Sequence, residues 1–150
     1  MTDIRVAVKI MEHAQDLPLP RYMTGGAVGM DLLAALTEPA TIPCGKIKTI
    51  PTGLQVAVPP GYELQIRPRS GLASKHGIGI LNSPGTIDPD YRGEVKIILI
   101  NLGPEPFLIN RGDRIAQMVL CPAPRISLQA VTELPPTERG SGGFGHTGLD

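Results

Sequence analysis

Proline and glycine recur along this chain and limit what it can fold into. There are 16 Pro and 18 Gly among the 150 residues, and both are unfavourable inside helices and central strands. Between them lie short runs in which apolar and polar residues alternate, such as "IRVAVKI" at residues 4–10. A period of two residues is typical of a strand with one buried face. We therefore expect an all-β protein built from many short strands.

Turns rich in Pro, Gly, Asn and Asp separate the runs that we predict to be strands. These runs are "IRVAVKI" (4–10), "IKTI" (47–50), "LQVAV" (54–58), "YELQIR" (62–67), "IGIL" (78–81), "EVKIILI" (94–100), "PFLI" (106–109), "RIAQMVL" (114–120) and "RISLQA" (125–130). One short helix is predicted over residues 70–76, with Ser70 as its N-cap. This pattern favours an antiparallel sandwich, jelly roll or small barrel.

The charge and cysteine content exclude several functional classes. The 14 Lys and Arg balance the 14 Asp and Glu, so we expect no stable binding to nucleic acid or to a membrane surface. The sequence shows no signal-peptide pattern and no apolar run near the ~20 residues of a membrane helix. Cys44 and Cys121 have no paired spacing, which indicates free, buried thiols in a reducing compartment. We therefore expect a cytoplasmic protein with one folded domain.

The C-terminal segment differs in character from the rest of the chain. The strand pattern stops after residue 132, and "RGSGGFGHTG" at residues 139–148 contains five Gly. Glycine loses more conformational freedom on ordering than any other residue, so this segment cannot hold a helix or strand alone. We predict a β domain over residues 1–134 and a flexible arm over residues 135–150. A plain linker would not need Arg139, Ser141 and Phe144.

Two motifs in the first half of the chain carry charged side chains that could belong to a site. "AVGMDLLAA" (27–35) places Asp31 among apolar neighbours, where it either satisfies turn backbone groups or belongs to a site. "RPRSGLASKHGI" (67–78) presents Arg69, Ser70 and Gly71 at the start of the predicted helix. This arrangement suits an anion, but it also suits a capped turn beside a solvated arginine.

Two further motifs carry polar groups near turns. "LNSPGTIDPDYRGEVKI" (81–97) resembles a hairpin in which Asp88 and Asp90 are turn-formers, or in which the preceding Ile87 partly desolvates a carboxylate that acts as a base. "NRGDRIAQMVL" (110–120) is a turn entering a strand that carries Gln117. The sequence contains no P-loop, zinc-ligand spacing or nucleophile elbow. The fragments together suit hydrolysis of a phosphorylated, ring-bearing substrate by activated water.

In order and spacing, five segments resemble the five motifs of the homotrimeric dUTPases. They are "AVGMDLLAA", "RPRSGLA", "GTIDPDYRGE", "GDRIAQM" and "RGSGGFGHTG", and they span residues 27–148. The resemblance implies a β jelly roll that hydrolyses dUTP to dUMP and pyrophosphate with Mg²⁺. That activity keeps uracil out of DNA and supplies dUMP for thymidylate synthesis. The resemblance also implies a homotrimer in which each site draws residues from three chains.

The resemblance assigns roles to the residues around the nucleoside. Asp88 corresponds to the base that activates the water attacking the α-phosphorus. Tyr91 corresponds to the residue whose ring lies beneath the deoxyribose and excludes a 2′-hydroxyl. The uracil edge is read by a hairpin that includes Asn82, Gly85, Thr86, Ile87 and Lys96.

The resemblance also assigns the triphosphate contacts. Arg69, Ser70, Gly71 and Gln117 match residues near the phosphates. Asp31 matches the acid that helps hold the hydrated Mg²⁺ chelated by the triphosphate. In the arm, Arg139 and Ser141 would reach phosphate oxygens, while Phe144 would cover the uracil.

Three alternatives use the same fold or ligand class. They are a dCTP deaminase, a bifunctional deaminase–dUTPase, and a non-catalytic nucleotide-binding trimer. The combination of "GTIDPDYRGE" with a Gly-rich aromatic tail favours a dUTPase over the two deaminases. A non-catalytic trimer would be expected to have lost Asp88, which is present.

Overall fold

A computed structural model describes residues 3–143, and the fold is all-β as predicted. In this part of the chain the strands are β1 (Ala7–Ile10), β2 (Met30–Leu33), β3 (Ala40–Ile42), β4 (Ile47–Ala57), β5 (Tyr62–Arg67), β6 (Ile78–Ile80), β7 (Gly85–Ile87), β8 (Glu94–Asn101), β9 (Phe107–Ile109) and β10 (Arg114–Pro122). The helical elements are a 3₁₀ turn (Glu12–Ala14) and one α-helix, α1 (Ser70–His76).

Two four-stranded antiparallel sheets enclose the core. Their strand orders are β1-β4-β8-β6 and β2-β10-β5-β7, and β3 pairs with β9 in a small third sheet. Side chains from both large sheets form one buried apolar cluster, which includes Leu32, Ile50, Ile66, Ile97 and Ile115. These are mostly the inward positions of alternating strands, because successive side chains point to opposite faces. The arrangement is a jelly roll, in agreement with the fold class expected from the sequence.

The strand predictions need three kinds of correction. The runs 47–50 and 54–58 belong to one strand, β4, which is interrupted by a shift in register between Pro51 and Gln55. The short strands β2, β3 and β7 were not predicted, whereas β6 and β9, which are similarly short, were. The strand predicted over 125–130 is wrong, since β10 ends at Pro122 and no strand follows it within the described residues. Residues 125–130 are all exposed, so their alternating side chains have no core or partner strand to pack against within one chain.

The helix is where the sequence predicts it, but its cap differs. Arg69 is the N-cap and makes no side-chain capping bond, so the prediction of Ser70 as N-cap is wrong. Helix α1 is followed by the C-cap Gly77, whose φ of 65° is left-handed and favours glycine. A Cβ there would also lie 2.5 Å from the backbone nitrogen of Gly103. None of the described residues forms a helix with the length and apolarity to cross a membrane.

The two cysteines are free, as predicted. The expectation that both are buried is wrong, because Cys44 is exposed and Cys121 is only partly buried. Cys44 lies in the turn between β3 and β4, where its apolar sequence neighbours do not cover it.

Candidate functional site

Three of the sequence motifs meet at one end of the β2-β10-β5-β7 sheet. Gln117 in β10 is in register with Asp31 in β2 and with Arg67 in β5. Strand β5 then leads through Pro68 into α1, which begins at Ser70. Residues that lie far apart in the sequence are therefore neighbours in this part of the fold.

The carboxylate of Asp31 lies between two guanidinium groups. Its Oδ1 is 3.0 Å from Nε of Arg69, and its Oδ2 is 3.4 Å from Nη1 of Arg114. Nη1 of Arg69 also donates to the backbone oxygen of Arg114 at 3.0 Å. The Asp31 side chain is 19% exposed and that of Arg69 is 27% exposed, and partial burial strengthens attraction between opposite charges. One carboxylate thus holds two cations side by side.

Arg114 is a member of this cluster that the sequence analysis did not single out. Side chains alternate along a strand, so Arg114 and Gln117 would ordinarily point to opposite faces. A shift in register between Arg114 and Ala116 changes this alternation, and Arg114 reaches the carboxylate of Asp31, the residue in register with Gln117. The available sequence signal was its place in the motif "GDRIAQM", three residues before Gln117.

The amide of Gln117 lies between Pro68 and Gly29. Its Nε2 donates to the backbone oxygen of Pro68 at 3.0 Å. A Cβ at Gly29 would lie only 2.5 Å from Oε1 of Gln117, a separation that two non-bonded atoms do not tolerate. Gly29 is therefore a second residue of the site that sequence reasoning missed, although it belongs to the first motif.

The start of α1 adds backbone donors to this group. Ser70 and Gly71 are exposed at the first turn of the helix, where backbone N–H groups have no partner within the helix. Asp31 and Arg114 also line a cleft of about 290 Å³, together with Pro18, Leu19, Pro20, Arg21, Met23 and Leu33. Arginines, an amide and helix-terminal N–H groups in one place can bind an anion such as a phosphate.

A second group of predicted site residues lies on the segment between β6 and β8. These two strands form a hairpin, with Ile78 opposite Asn101. The connecting chain crosses to the other sheet, where β7 pairs with β5. Asp88 follows β7 directly, and its backbone oxygen accepts the N–H of Tyr91 at 3.2 Å. Asp88 and Tyr91 are thus placed on one turn.

Asp88 is less shielded than the sequence suggested. We expected the preceding Ile87 to desolvate a carboxylate partly, but both Asp88 and Asp90 are exposed in this chain and Ile87 is half-buried. The expectation is wrong for a single chain, because the side chain of Asp88 faces an open cavity of about 730 Å³. Other residues lining it are Val58, Pro60, Gly61, Tyr62, Glu63, Pro89, Asp90, Arg92, Ala123 and Arg125.

The remaining residues predicted to read a base lie close to this turn or on β8. Gly85 is buried, and a Cβ there would lie 3.2 Å from Cβ of Ile66 and 3.5 Å from Nδ2 of Asn82. The amide of Asn82 therefore lies beside the Gly85 backbone. Thr86 is exposed on β7, and Lys96 is exposed on β8 with its Nζ 3.7 Å from Oε2 of Glu94.

The two groups are well separated within one chain. Ile87 pairs with Leu64, so Asp88 is level with Glu63, whereas Gln117 is in register with Arg67. Asp88 and Gln117 are therefore four residues apart along the strand direction and two strands apart across the sheet, which corresponds to a distance on the order of 16 Å. The cavities at Asp88 and at Asp31 share no lining residue. One chain therefore does not bring Asp88 to the arginine cluster.

The arm residues form a third group. Gly140, with a φ of 54°, donates its N–H to the backbone and side-chain oxygens of Thr137, both at 3.1 Å. Nε of Arg139 donates to the backbone oxygen of Gly142 at 2.8 Å. Arg139 and Ser141 are exposed, and these bonds stay within the arm. Phe144 lies outside the residues that the structure describes.

The described residues suit a metal ion that is held mainly by a substrate. No group of three or more His, Cys, Asp or Glu side chains within residues 3–143 is arranged to hold a metal. Magnesium usually keeps several waters and binds one or two carboxylates together with substrate phosphates. A single acid, Asp31, beside the anion-binding cluster fits that mode of binding.

Comparison with known proteins agrees with these observations. The family model described as dUTPase matches residues 15–148. A mutant dUTPase of Staphylococcus bacteriophage 80alpha, solved with dUpNHpp, superposes with a TM-score of 0.86 at 25% identity, covering 97% of this chain and 99% of that chain. The dUTPase of the same phage solved with dUPNHPP has a TM-score of 0.83 at 27% identity, with the same two coverages.

A more distant match supports the fold. A mutant dUTPase from phage phi11 of S. aureus, described as revealing the coordination of a structural Mg(II) ion, superposes with a TM-score of 0.77 at 23% identity. It covers 87% of this chain and 98% of that chain. The family model spans most of the sequence, including the motifs whose side chains form the three groups above. The chain therefore belongs to the dUTPase family.

Proposed function

We propose that this protein hydrolyses dUTP to dUMP and pyrophosphate, with Asp88 as the base that activates the attacking water. The observation that carries the proposal is the dUTPase family match over residues 15–148. The relatives from phage 80alpha, which were solved with dUpNHpp, support a deoxyuridine nucleotide as the ligand. Hydrolysis at phosphorus depends on charge neutralisation and on an in-line water more than on covalent help.

The cluster around Asp31 binds the triphosphate in this proposal. Asp31 holds Arg69 and Arg114 side by side, and the remaining N–H groups of the two guanidiniums can donate to phosphate oxygens. Gln117 and the first N–H groups of α1 add neutral donors. Asp31 would help to hold a hydrated Mg²⁺ chelated by the triphosphate, which would supply further charge neutralisation.

The turn after β7 binds the nucleoside and supplies the base. Asp88 accepts a proton from the water that attacks the α-phosphorus. The Tyr91 ring lies beneath the deoxyribose and leaves no room for a 2′-hydroxyl. Asn82 and the backbone of Gly85–Ile87 read the edge of the uracil together with Lys96. These roles rest on the motif resemblance and on the common location of these residues.

We propose that the active protein is a homotrimer whose sites are shared between chains. The separation of Asp88 from the arginine cluster supports this assembly, because one chain holds only part of the chemistry. Exposed apolar side chains support it as well: Ile126, Leu128 and Leu134 are 81%, 89% and 82% exposed. Monomeric proteins seldom leave extended apolar surfaces uncovered.

A mixing experiment tests whether sites are shared. Asp88→Asn lacks the base and Arg69→Gln lacks a phosphate-binding cation, so each variant alone should be nearly inactive. If the two residues of one site come from different chains, a 1:1 mixture should recover about a quarter of wild-type activity. Half of the chains that contribute residue 88 carry Asp88, half of those that contribute residue 69 carry Arg69, and an active site needs both. No recovery in mixed oligomers, verified by co-purification of two tags, would show that each chain carries its own site.

The arm closes over the bound nucleotide in this proposal. Arg139 and Ser141 contact phosphate oxygens, and Phe144 covers the uracil. Charge-assisted hydrogen bonds contribute about 1.5–3 kcal/mol each, which is enough to offset part of the cost of ordering Gly-rich backbone at about 1–2 kcal/mol per residue. Closure excludes water and strengthens the charge contacts inside. We further propose that the enzyme is cytoplasmic, keeps uracil out of DNA and supplies dUMP.

Replacement of the base tests the mechanism. Asp88→Asn keeps the shape of the side chain but cannot accept a proton, so turnover should fall by about 10²–10⁴-fold while dUTP binding is retained. Asp90→Asn is the matched control, because Asp90 is exposed on the same turn and lines the same cavity. Near-normal turnover by Asp88→Asn would refute the assignment of the base.

A substrate panel separates the alternatives. Incubation with dUTP, dCTP and UTP, followed by chromatography of the products, should give dUMP and pyrophosphate from dUTP. Deamination of dCTP would show a deaminase or a bifunctional enzyme. Binding without any product would show a non-catalytic trimer.

A further inference from the structure

The ring of Tyr91 rests directly on Gly93. A Cβ built on Gly93 would lie 2.3 Å from Oη, 2.5 Å from Cζ and 2.9 Å from Cε2 of Tyr91. Real Cβ atoms do not approach other atoms this closely, and three atoms of one rigid ring would be affected together. The present position of the ring therefore requires glycine at residue 93.

The hydroxyl of Tyr91 is hydrogen-bonded to Glu94, three residues further along the chain. It donates to the backbone oxygen of Glu94 at 3.0 Å. The Glu94 side chain is only 12% exposed: its Oε1 accepts the N–H of Gly53 at 2.9 Å and lies 3.0 Å from Nε2 of His13. Its Oε2 lies 3.7 Å from Nζ of Lys96. The carboxylate thus anchors the backbone that holds the Tyr91 hydroxyl.

A bulge in β4 makes the Gly53 N–H available to Glu94. The pairing of β4 with β8 changes register between Pro51 and Gln55, and Gly53 has a left-handed φ of 69°. A Cβ on Gly53 would lie 2.0 Å from Cβ of Ala14. Bulges commonly redirect groups next to active sites, and here the redirected N–H binds a carboxylate.

We propose that Gly93 and Glu94 are positioning residues that set the sugar selectivity of the enzyme by holding the Tyr91 ring. The proposal rests on the function proposed above, in which this ring excludes the ribose 2′-hydroxyl. Gly93 allows the ring to lie against the backbone, and Glu94 fixes the carbonyl that holds its hydroxyl. Neither residue touches the reacting phosphorus in this scheme.

The first test measures kcat/KM for UTP and dUTP in the full-length oligomer. Gly93→Ala should raise the UTP/dUTP ratio by about tenfold or more, which is the discrimination that a methyl-sized change in a pocket typically produces. Gly79→Ala is the matched control, because its Cβ would meet Cγ2 of Ile100 at an ordinary 3.6 Å. The control should keep the wild-type ratio.

A double variant shows whether Gly93 acts through the ring. Tyr91→Ala should raise the ratio, and adding Gly93→Ala to it should change the ratio no further. If Tyr91→Ala shifts the ratio and Gly93→Ala does not, the inference is overturned and the proposed role of Tyr91 stands. If Tyr91→Ala leaves the ratio unchanged, both are overturned.

The Glu94 variants give an independent test, which also decides the case if Gly93→Ala does not fold. Glu94→Gln retains an oxygen that can accept the Gly53 N–H, whereas Glu94→Ala does not. The UTP/dUTP ratio should therefore rise from wild type to Glu94→Gln and again to Glu94→Ala. A loss of thermal stability in both variants with an unchanged ratio would show a purely structural role and overturn the proposal.

Discussion

Removal of the Asp31 charge should remove the ion-pair partner of both Arg69 and Arg114. Asp31→Asn keeps the size of the side chain and one oxygen, whereas Asp31→Ala removes both ion pairs. In either variant Arg69 and Arg114 stay close to each other without the carboxylate between them. We expect lower stability of the folded protein and weaker binding of the triphosphate.

The structure sets the size of the stability change. The Arg69 contact is 3.0 Å long with both side chains less than one-third exposed, so it resembles a charge-assisted hydrogen bond of about 1.5–3 kcal/mol. The Arg114 contact is 3.4 Å long and Arg114 is 50% exposed, which limits it to about 0.2–1 kcal/mol. Asp31→Ala should therefore lower the free energy of unfolding by about 2–4 kcal/mol, and Asp31→Asn by roughly half as much.

Urea unfolding at one fixed protein concentration measures the stability change, because the stability of an oligomer depends on concentration. Glu38→Gln is the control, since Glu38 is an exposed acid outside the site. The kcat/KM for dUTP should fall about tenfold for each ~1.4 kcal/mol of lost phosphate binding. An unchanged urea midpoint in Asp31→Ala, or full recovery of activity at high Mg²⁺, would refute the role of Asp31 in holding the arginines.

Three other changes have defined outcomes. Truncation after Glu138 should leave a folded oligomer, shown by an unchanged melting temperature, with severely reduced dUTP hydrolysis; full activity would contradict closure of the arm. Gly29→Ala should displace the Gln117 amide and break a hydrogen bond of about 0.5–1.5 kcal/mol, so kcat/KM should fall up to about tenfold, but not further in a Gln117→Ala background. The Arg111 guanidinium lowers the pKa of Asp16 from its ordinary value by hydrogen bonding. The Arg111–Asp16 pair stabilises the folded protein above about pH 4, and this contribution is lost as the pH falls through the lowered native pKa. In Arg111→Gln the urea midpoint should therefore decrease less on acidification below about pH 4 than it does in the wild type. An equal decrease in both proteins would contradict the pairing.

The sequence alone determined the fold class and the kinds of chemistry present. Alternating runs such as 62–67 and 94–100 became β5 and β8 with few changes at their ends, because a strand with one buried face imposes a period of two on local sequence. The five motifs, read in order, also identified Asp88, Arg69 and the Gly-rich arm as candidate site residues. Local pattern is sufficient for the strands, whereas the site residues were identified through the resemblance of the five motifs to a known family.

Other features depended on contacts between residues that are distant in the sequence, and only the tertiary structure decided them. A shift in register brings Arg114 to Asp31, across 83 residues, and a bulge turns the Gly53 N–H towards Glu94, across 41 residues. The exposure of residues 125–130 likewise depends on what the rest of the chain leaves uncovered. Strand register places Asp88 and Gln117 at different ends of one sheet, because each residue adds about 3.3 Å along a strand.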